Sequence, residues 1–146
     1  MKRILLFTAS VLALISCKMN AGNENEAKAI DQAASGDYVE VLYFHGKQRC
    51  ATCLAIESNT RAALESSFAE QLENGKVVFR EIDLSLPENE EIAEEYEAAW
   101  SSLFIVGHEN GQENRKNLTE FGFANARKSP EEFKAGVFEA VSEMLD

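Results

Sequence analysis

The sequence predicts an α/β domain, a four-stranded mixed sheet with helices on both faces. Three observations carry that expectation. Val39–Phe44, the run centred on Val77-Val78-Phe79, and Leu103–Val106 are apolar with few breaks, as strands covered on both faces are. Between the first two runs, Ile56, Thr60, Leu64, Phe68 and Leu72 recur every four residues, the spacing of one helical face. Asn110-Gly111 then separates two extended stretches, and such a pair marks a tight antiparallel hairpin.

The elements follow in order. Val39–Phe44 is the first strand, closed by His45-Gly46. A helix runs from Cys50 to about Glu73, with Glu57, Arg61, Glu65 and Glu70 on its polar face, and Asn74-Gly75 stops it. Lys76–Leu84 is the second strand. Pro87 opens a second helix carrying Ile92, Ala93 and Tyr96. Leu103–Val106 is the third strand, and Arg115–Glu120 returns as the fourth. Phe121-Gly122-Phe123 is expected in a loop. Ser129-Pro130-Glu131-Glu132 reads as a capping box with proline at the first helical position. The last helix buries Phe133, Val137, Ala140, Val141 and Met144. The first two strands should be parallel through a right-handed crossover, and the last two antiparallel.

The first residues read as a targeting segment. Lys2 and Arg3 precede a run of twelve residues, Ile4 to Ile15, broken only by Thr8 and Ser10. That run is too short to span a bilayer and has the length of a signal-peptide core. Leu14-Ile15-Ser16-Cys17 resembles a bacterial lipobox, which implies a signal peptide over 1–16 and lipidation of Cys17. Residues 17–36, rich in Asn, Glu, Ala, Lys and Gly, read as a tether. The folded domain is placed at 37–146. The protein is therefore expected in the cell envelope, lipid-anchored and facing the periplasm, where disulfides persist. Without Lys2 and Arg3, 12 basic residues face 25 acidic ones, a formal charge of −13. Nucleic acid is then an unsuitable partner, because phosphate binding needs a basic surface. The expected partners are the membrane, through the lipid, and an exported redox protein.

Of the three cysteines, one serves the anchor and two form a pair. Cys50-Ala51-Thr52-Cys53 lies where the first strand hands over to a helix. Unpaired amides and the helix dipole at that point stabilise a thiolate on Cys50. Lys47 and Arg49 are expected to add positive charge and to lower the thiol pKa further. Cys50 would attack a partner disulfide, and Cys53 would resolve the mixed disulfide. No cofactor beyond this disulfide is required. A purely structural bridge is the weaker reading, because so short a loop gives only roughly 2 kcal/mol of chain-entropy stabilisation. The other alternative uses the same thiols, with His45 as a third ligand, for a soft metal or metalloid such as Cu(I) or As(III). Trp100 is a candidate for a substrate groove or for the core. His108, beside the hairpin turn, is expected in solvent.

Strand, CxxC, long helix, strand ending in Asp83, helix with Tyr96, then strand: over Tyr38 to about Val106 this order resembles thioredoxin. Within that fold, His45-Gly46, Arg49-Cys50-Ala51-Thr52-Cys53 with Ile56-Glu57, and Asn117-Leu118-Thr119 with Phe121-Gly122-Phe123 resemble short bacterial lipoproteins known as ArsF-like, nitrophenyl compound nitroreductase subunits. The resemblance implies a thioredoxin-like domain with a redox or electron-transfer role. It also exposes departures. Thioredoxins carry Gly-Pro between the cysteines, a buried Asp in the first of these strands, and a cis-proline facing the CxxC. Here Ala51-Thr52 fills the gap, Val39–Phe44 holds no such carboxylate, and counting from Tyr96 puts Ser102 at the proline position. A cis bond before a non-proline residue costs roughly 2.5–4 kcal/mol, so a trans bond is expected. Ser102 is expected at the mouth of the site, with its hydroxyl donating to a thiolate.

Overall fold

The computed structural model describes residues 36–146. The signal peptide, Cys17 and nearly all of the tether lie outside the described residues. The strands are β1 (Tyr38–His45), β2 (Val77–Asp83), β3 (Ser102–Glu109) and β4 (Gln112–Asn117). The helices are α1 (Ala51–Ser67), α2 (Ala69–Glu73), α3 (Glu90–Glu95), α4 (Thr119–Asn125) and α5 (Pro130–Leu145). The sheet order is β2-β1-β3-β4. β1 is parallel to β2 and antiparallel to β3, and β3 is antiparallel to β4. This is the four-stranded mixed sheet expected from the sequence, in a thioredoxin-like arrangement.

The apolar character of β1 has the expected cause. Val39, Val41 and Tyr43 join Ile56, Leu64, Phe133, Val137 and Val141 in a core beneath α1 and α5. Leu42 and Phe44 point the other way, into a core with Phe104, Val106 and Tyr96. The strand is buried on both faces, so side-chain alternation does not show as alternating polarity. β4 is the exposed edge. Arg115 is held there by Glu95 and Glu113, and Lys116 by Glu143, so charge covers an edge that would otherwise invite another strand. The hairpin turns through Asn110 and Gly111, with φ of 51° and 75°. Two consecutive positive φ values are what a two-residue turn between twisted strands demands.

Four expectations need correction. The helix after Cys50 is not continuous to Glu73. At Phe68 the backbone leaves helical geometry (φ −131°, ψ 30°), and its buried ring stacks on Phe138 of α5 at 5.4 Å. Phe121-Gly122-Phe123 is helix α4 rather than loop, and β4 correspondingly stops at Asn117. The Asn117 side chain accepts from the Thr119 amide, and the Thr119 hydroxyl accepts from the Leu103 amide. The capping box at Ser129 is not made. The Ser129 amide already donates to the Asn125 carbonyl at 2.8 Å, leaving nothing for Glu132 to bond. His108 is half-buried rather than in solvent. It stacks on Tyr38 at 4.2 Å and meets Glu40 at 2.9 Å, because the sheet brings β1 and β3 together there.

α3 ends in a tight reversal. The Ala98 amide donates to the Ala93 carbonyl at 2.8 Å, and Glu97 takes φ 52°. Glycine usually fills that left-handed position after a helix. Glutamate there costs about 1 kcal/mol more.

Candidate functional site

β1 delivers the chain to α1 through the exposed loop of Lys47 and Gln48. Cys50 is the N-cap of α1, in extended backbone, and its Sγ accepts from the Cys53 amide at 3.1 Å. A sulfur thus takes the place usually held by a Ser or Asp oxygen. The two sulfurs are joined as a disulfide, with the Cα atoms 5.1 Å apart, inside the ordinary range for such a bridge. Cys50 is exposed, whereas Cys53 is only 7% exposed. The inequality follows from the helix. Residue 50 lies outside the first turn, and residue 53 faces the sheet, ahead of Ile56 in the same buried row.

The floor of the site is a residue that sequence reasoning missed. Tyr43, fully buried, donates its hydroxyl to the Cys53 carbonyl at 2.8 Å. Burial raises its pKa, while the Ser101 hydroxyl and the Arg49 guanidinium beside it pull the other way. Arg49 lies 5.7 Å from the centre of the Tyr43 ring and forms an ion pair with Glu57. The strand expected to lack a buried carboxylate thus carries a buried phenol beside Cys53. The nearby carboxylate comes from α1 instead, because Glu57 follows Cys53 by four residues and so sits one turn on. A phenol among the buried apolar side chains of β1 was the available signal.

The other candidates are placed as follows. Lys47 is exposed in the loop. Arg49 does not offer the unshared positive charge expected of it, because Glu57 takes its guanidinium. Ser102 begins β3 opposite Phe44, at the end of the sheet from which α1 departs. Its preceding peptide bond is trans. Its hydroxyl donates to the Trp100 carbonyl at 2.9 Å, so it is committed to its own turn rather than to a thiolate. Trp100 is 69% exposed and outside the core. It lines a groove of about 560 Å³ with Tyr96, Glu97, Ser102, Phe104 and Glu120. His45 ends β1 beside Asp83 of β2, with its Nδ1 3.2 Å from the Gly46 carbonyl. The Asp83 carboxyl is held below its usual range chiefly by the Ser85 amide. Among the described residues, no three His, Cys, Asp or Glu side chains converge as a metal site.

No protein-family model and no curated protein matches the chain. Solved structures do. A thioredoxin from Thermus thermophilus is 18% identical, covering 80% of this chain and 85% of its own, with a TM-score of 0.46. A malarial protein is 17% identical, covering 60% of this chain and 93% of its own, with a TM-score of 0.39. The fold rests on the sheet order, the strand directions and the disulfide at the head of α1. The resemblance to ArsF-like lipoproteins rests on the quoted residues alone.

Chemically, the site holds one accessible sulfur on unpaired helix amides and a second, shielded sulfur bonded to it. Such a pair can accept or give two electrons by disulfide exchange.

Proposed function

We propose that the chain is a thiol–disulfide oxidoreductase or electron carrier, exported, anchored through lipid on Cys17, and acting on an exported partner through Cys50 and Cys53. The observation that carries this reading is the asymmetry of the pair. Cys50 is exposed and accepts an amide hydrogen bond at the helix N-terminus, and Cys53 is buried behind it. In the reduced protein the Cys50 thiolate attacks one sulfur of a partner disulfide. That bond breaks, the other partner sulfur leaves as a thiol, and a mixed disulfide remains. Cys53 loses its proton and attacks the Cys50 sulfur. The internal disulfide forms, and the second partner sulfur leaves as a thiol. Two electrons have passed to the partner. The ArsF-like resemblance supports the electron-transfer side of the reading.

A redox titration of the protein, with metal content measured on the same sample, tests it. A midpoint within about −270 to −120 mV, the span of known dithiol oxidoreductases, is expected, with no stoichiometric metal. Stoichiometric Cu(I) or As(III) without disulfide exchange would instead establish the soft-ion alternative. Cys53→Ser should trap mixed disulfides with a partner, and Cys50→Ser should not. The anchor is tested separately: fatty-acid label should appear on the wild type and vanish in Cys17→Ala.

A further inference from the structure

Trp100 is the chain's one tryptophan, and it stands largely in solvent. The turn that holds it is fixed. The Ser102 hydroxyl donates to its carbonyl, and neighbouring Ser101 is buried beside the Tyr43 hydroxyl, which itself bonds Cys53. The indole is therefore carried at the end of the sheet where the redox pair lies, next to a serine whose side chain reaches the floor of that site.

The groove it lines has a definite character. Tyr96 and Phe104 form an aromatic wall, packed edge-to-face at 5.3 Å. Glu97 and Glu120, both exposed, line the same groove. None of its lining residues is basic. Arg115 lies over the Tyr96 ring at 4.1 Å, but Glu95 and Glu113 already share its charge. Glu97 keeps its carboxylate there despite a backbone that favours glycine. An exposed indole face and two carboxylates with no cation among them suit a positively charged side chain, which gains both ring and carboxylate contacts.

We propose that the groove beside Trp100 binds a lysine or arginine side chain of the redox partner, so that partners with a basic residue next to their reactive cysteine are preferred. The inference builds on the thiol–disulfide reading and names the chemistry by which that site selects its partner. The acidic balance of the whole chain, 25 acidic against 14 basic residues, acts in the same sense on encounter.

The single tryptophan supplies the readout. The full-length, oxidised protein is titrated with two short blocked peptides, identical except for one Lys or one Glu, and Trp100 emission is followed. The Lys peptide should shift the emission and bind about fivefold tighter than the Glu peptide at low salt, the scale that two exposed charge pairs allow. The preference should disappear near 1 M salt, where screening reaches about 3 Å. It should also disappear in the double variant Glu97→Gln, Glu120→Gln. Equal binding of the two peptides, no emission shift with either, or a preference that survives the double variant overturns the proposal. Reduction of a small neutral disulfide by the reduced protein, measured in parallel, reports on Cys50 and Cys53 alone. A failure there removes the redox reading and leaves the peptide result standing on its own.

Discussion

Tyr43 shows what single residues conceal. In the sequence it is one more member of an apolar strand, and the strand forms as expected. Its hydroxyl matters only once β1 passes beneath α1 and the Cys53 carbonyl comes within 2.8 Å. Tyr43→Phe removes one buried hydrogen bond while keeping the ring. Chemical denaturation should show a loss of about 1 kcal/mol, the usual net value of such a bond. A loss near zero would mean that the helix satisfies the Cys53 carbonyl without help. Cys50 and Cys53 were legible because both their spacing and their place after a strand are local facts. The Arg49–Glu57 pair and the Ser102–Trp100 turn were not, because a charge or hydroxyl does not announce its partner. Arg49 is a neighbour of Cys50 in sequence, but its guanidinium turns to a helix residue eight positions on.

At the scale of elements, the strands, the long helices and the short helix after Pro87 were legible, and the short helix α4 was not. The buried stripe of α5 lies at Phe133, Val137, Ala140 and Val141, as its periodicity indicated. α4 has seven residues with glycine at its centre, too short for a period to show. Packing makes it a helix. Phe121 stacks on Phe133 at 5.9 Å, and a Cβ on Gly122 would come within 3.3 Å of Ile56. The same contact gives Gly136 its purpose. A Cβ there would meet the Phe121 ring at 2.5 Å, so glycine in mid-helix is what lets α4 lie against α5. Helix propensity alone favours Gly136→Ala by roughly 0.5–1 kcal/mol. Overpacking should outweigh it, giving a net loss of about 1–2 kcal/mol in urea. Gly136→Ala combined with Phe121→Leu should cost less than the two single changes added together. Simple additivity would refute the contact.

For the whole molecule, the two-sided burial of β1 and β3 dictated the architecture, and this could be read from their apolar runs, which Glu40 alone interrupts in Val39–Phe44. The second core also gives stability a pH limit. Burial, reinforced by the Glu113 carboxylate, pushes the Tyr96 hydroxyl from 10.0 up to about 12. The folded protein thus holds this proton more tightly than the unfolded chain. The stability it contributes is complete below pH 10 and is lost as pH climbs through about 12. Tyr38 and Tyr43, also raised by burial, act in the same direction. Urea midpoints of the oxidised protein should fall over that interval, and Tyr96→Phe should flatten the decline. An unchanged slope in the variant would place the alkaline transition elsewhere.

The sulfur cap of α1 ties electron transfer to mechanical firmness. Oxidised, Cys50 offers the Cys53 amide an uncharged acceptor; reduced to thiolate, it offers a charged one, and such bonds are roughly twice as strong. By a closed thermodynamic cycle, whatever tightens the first turn of α1 more in one redox state shifts the midpoint potential toward that state. The turn's contribution to electron affinity and the difference between its resistance to fraying in the two redox states are therefore one quantity measured in two ways, by voltage and by amide exchange at Cys53 in each state.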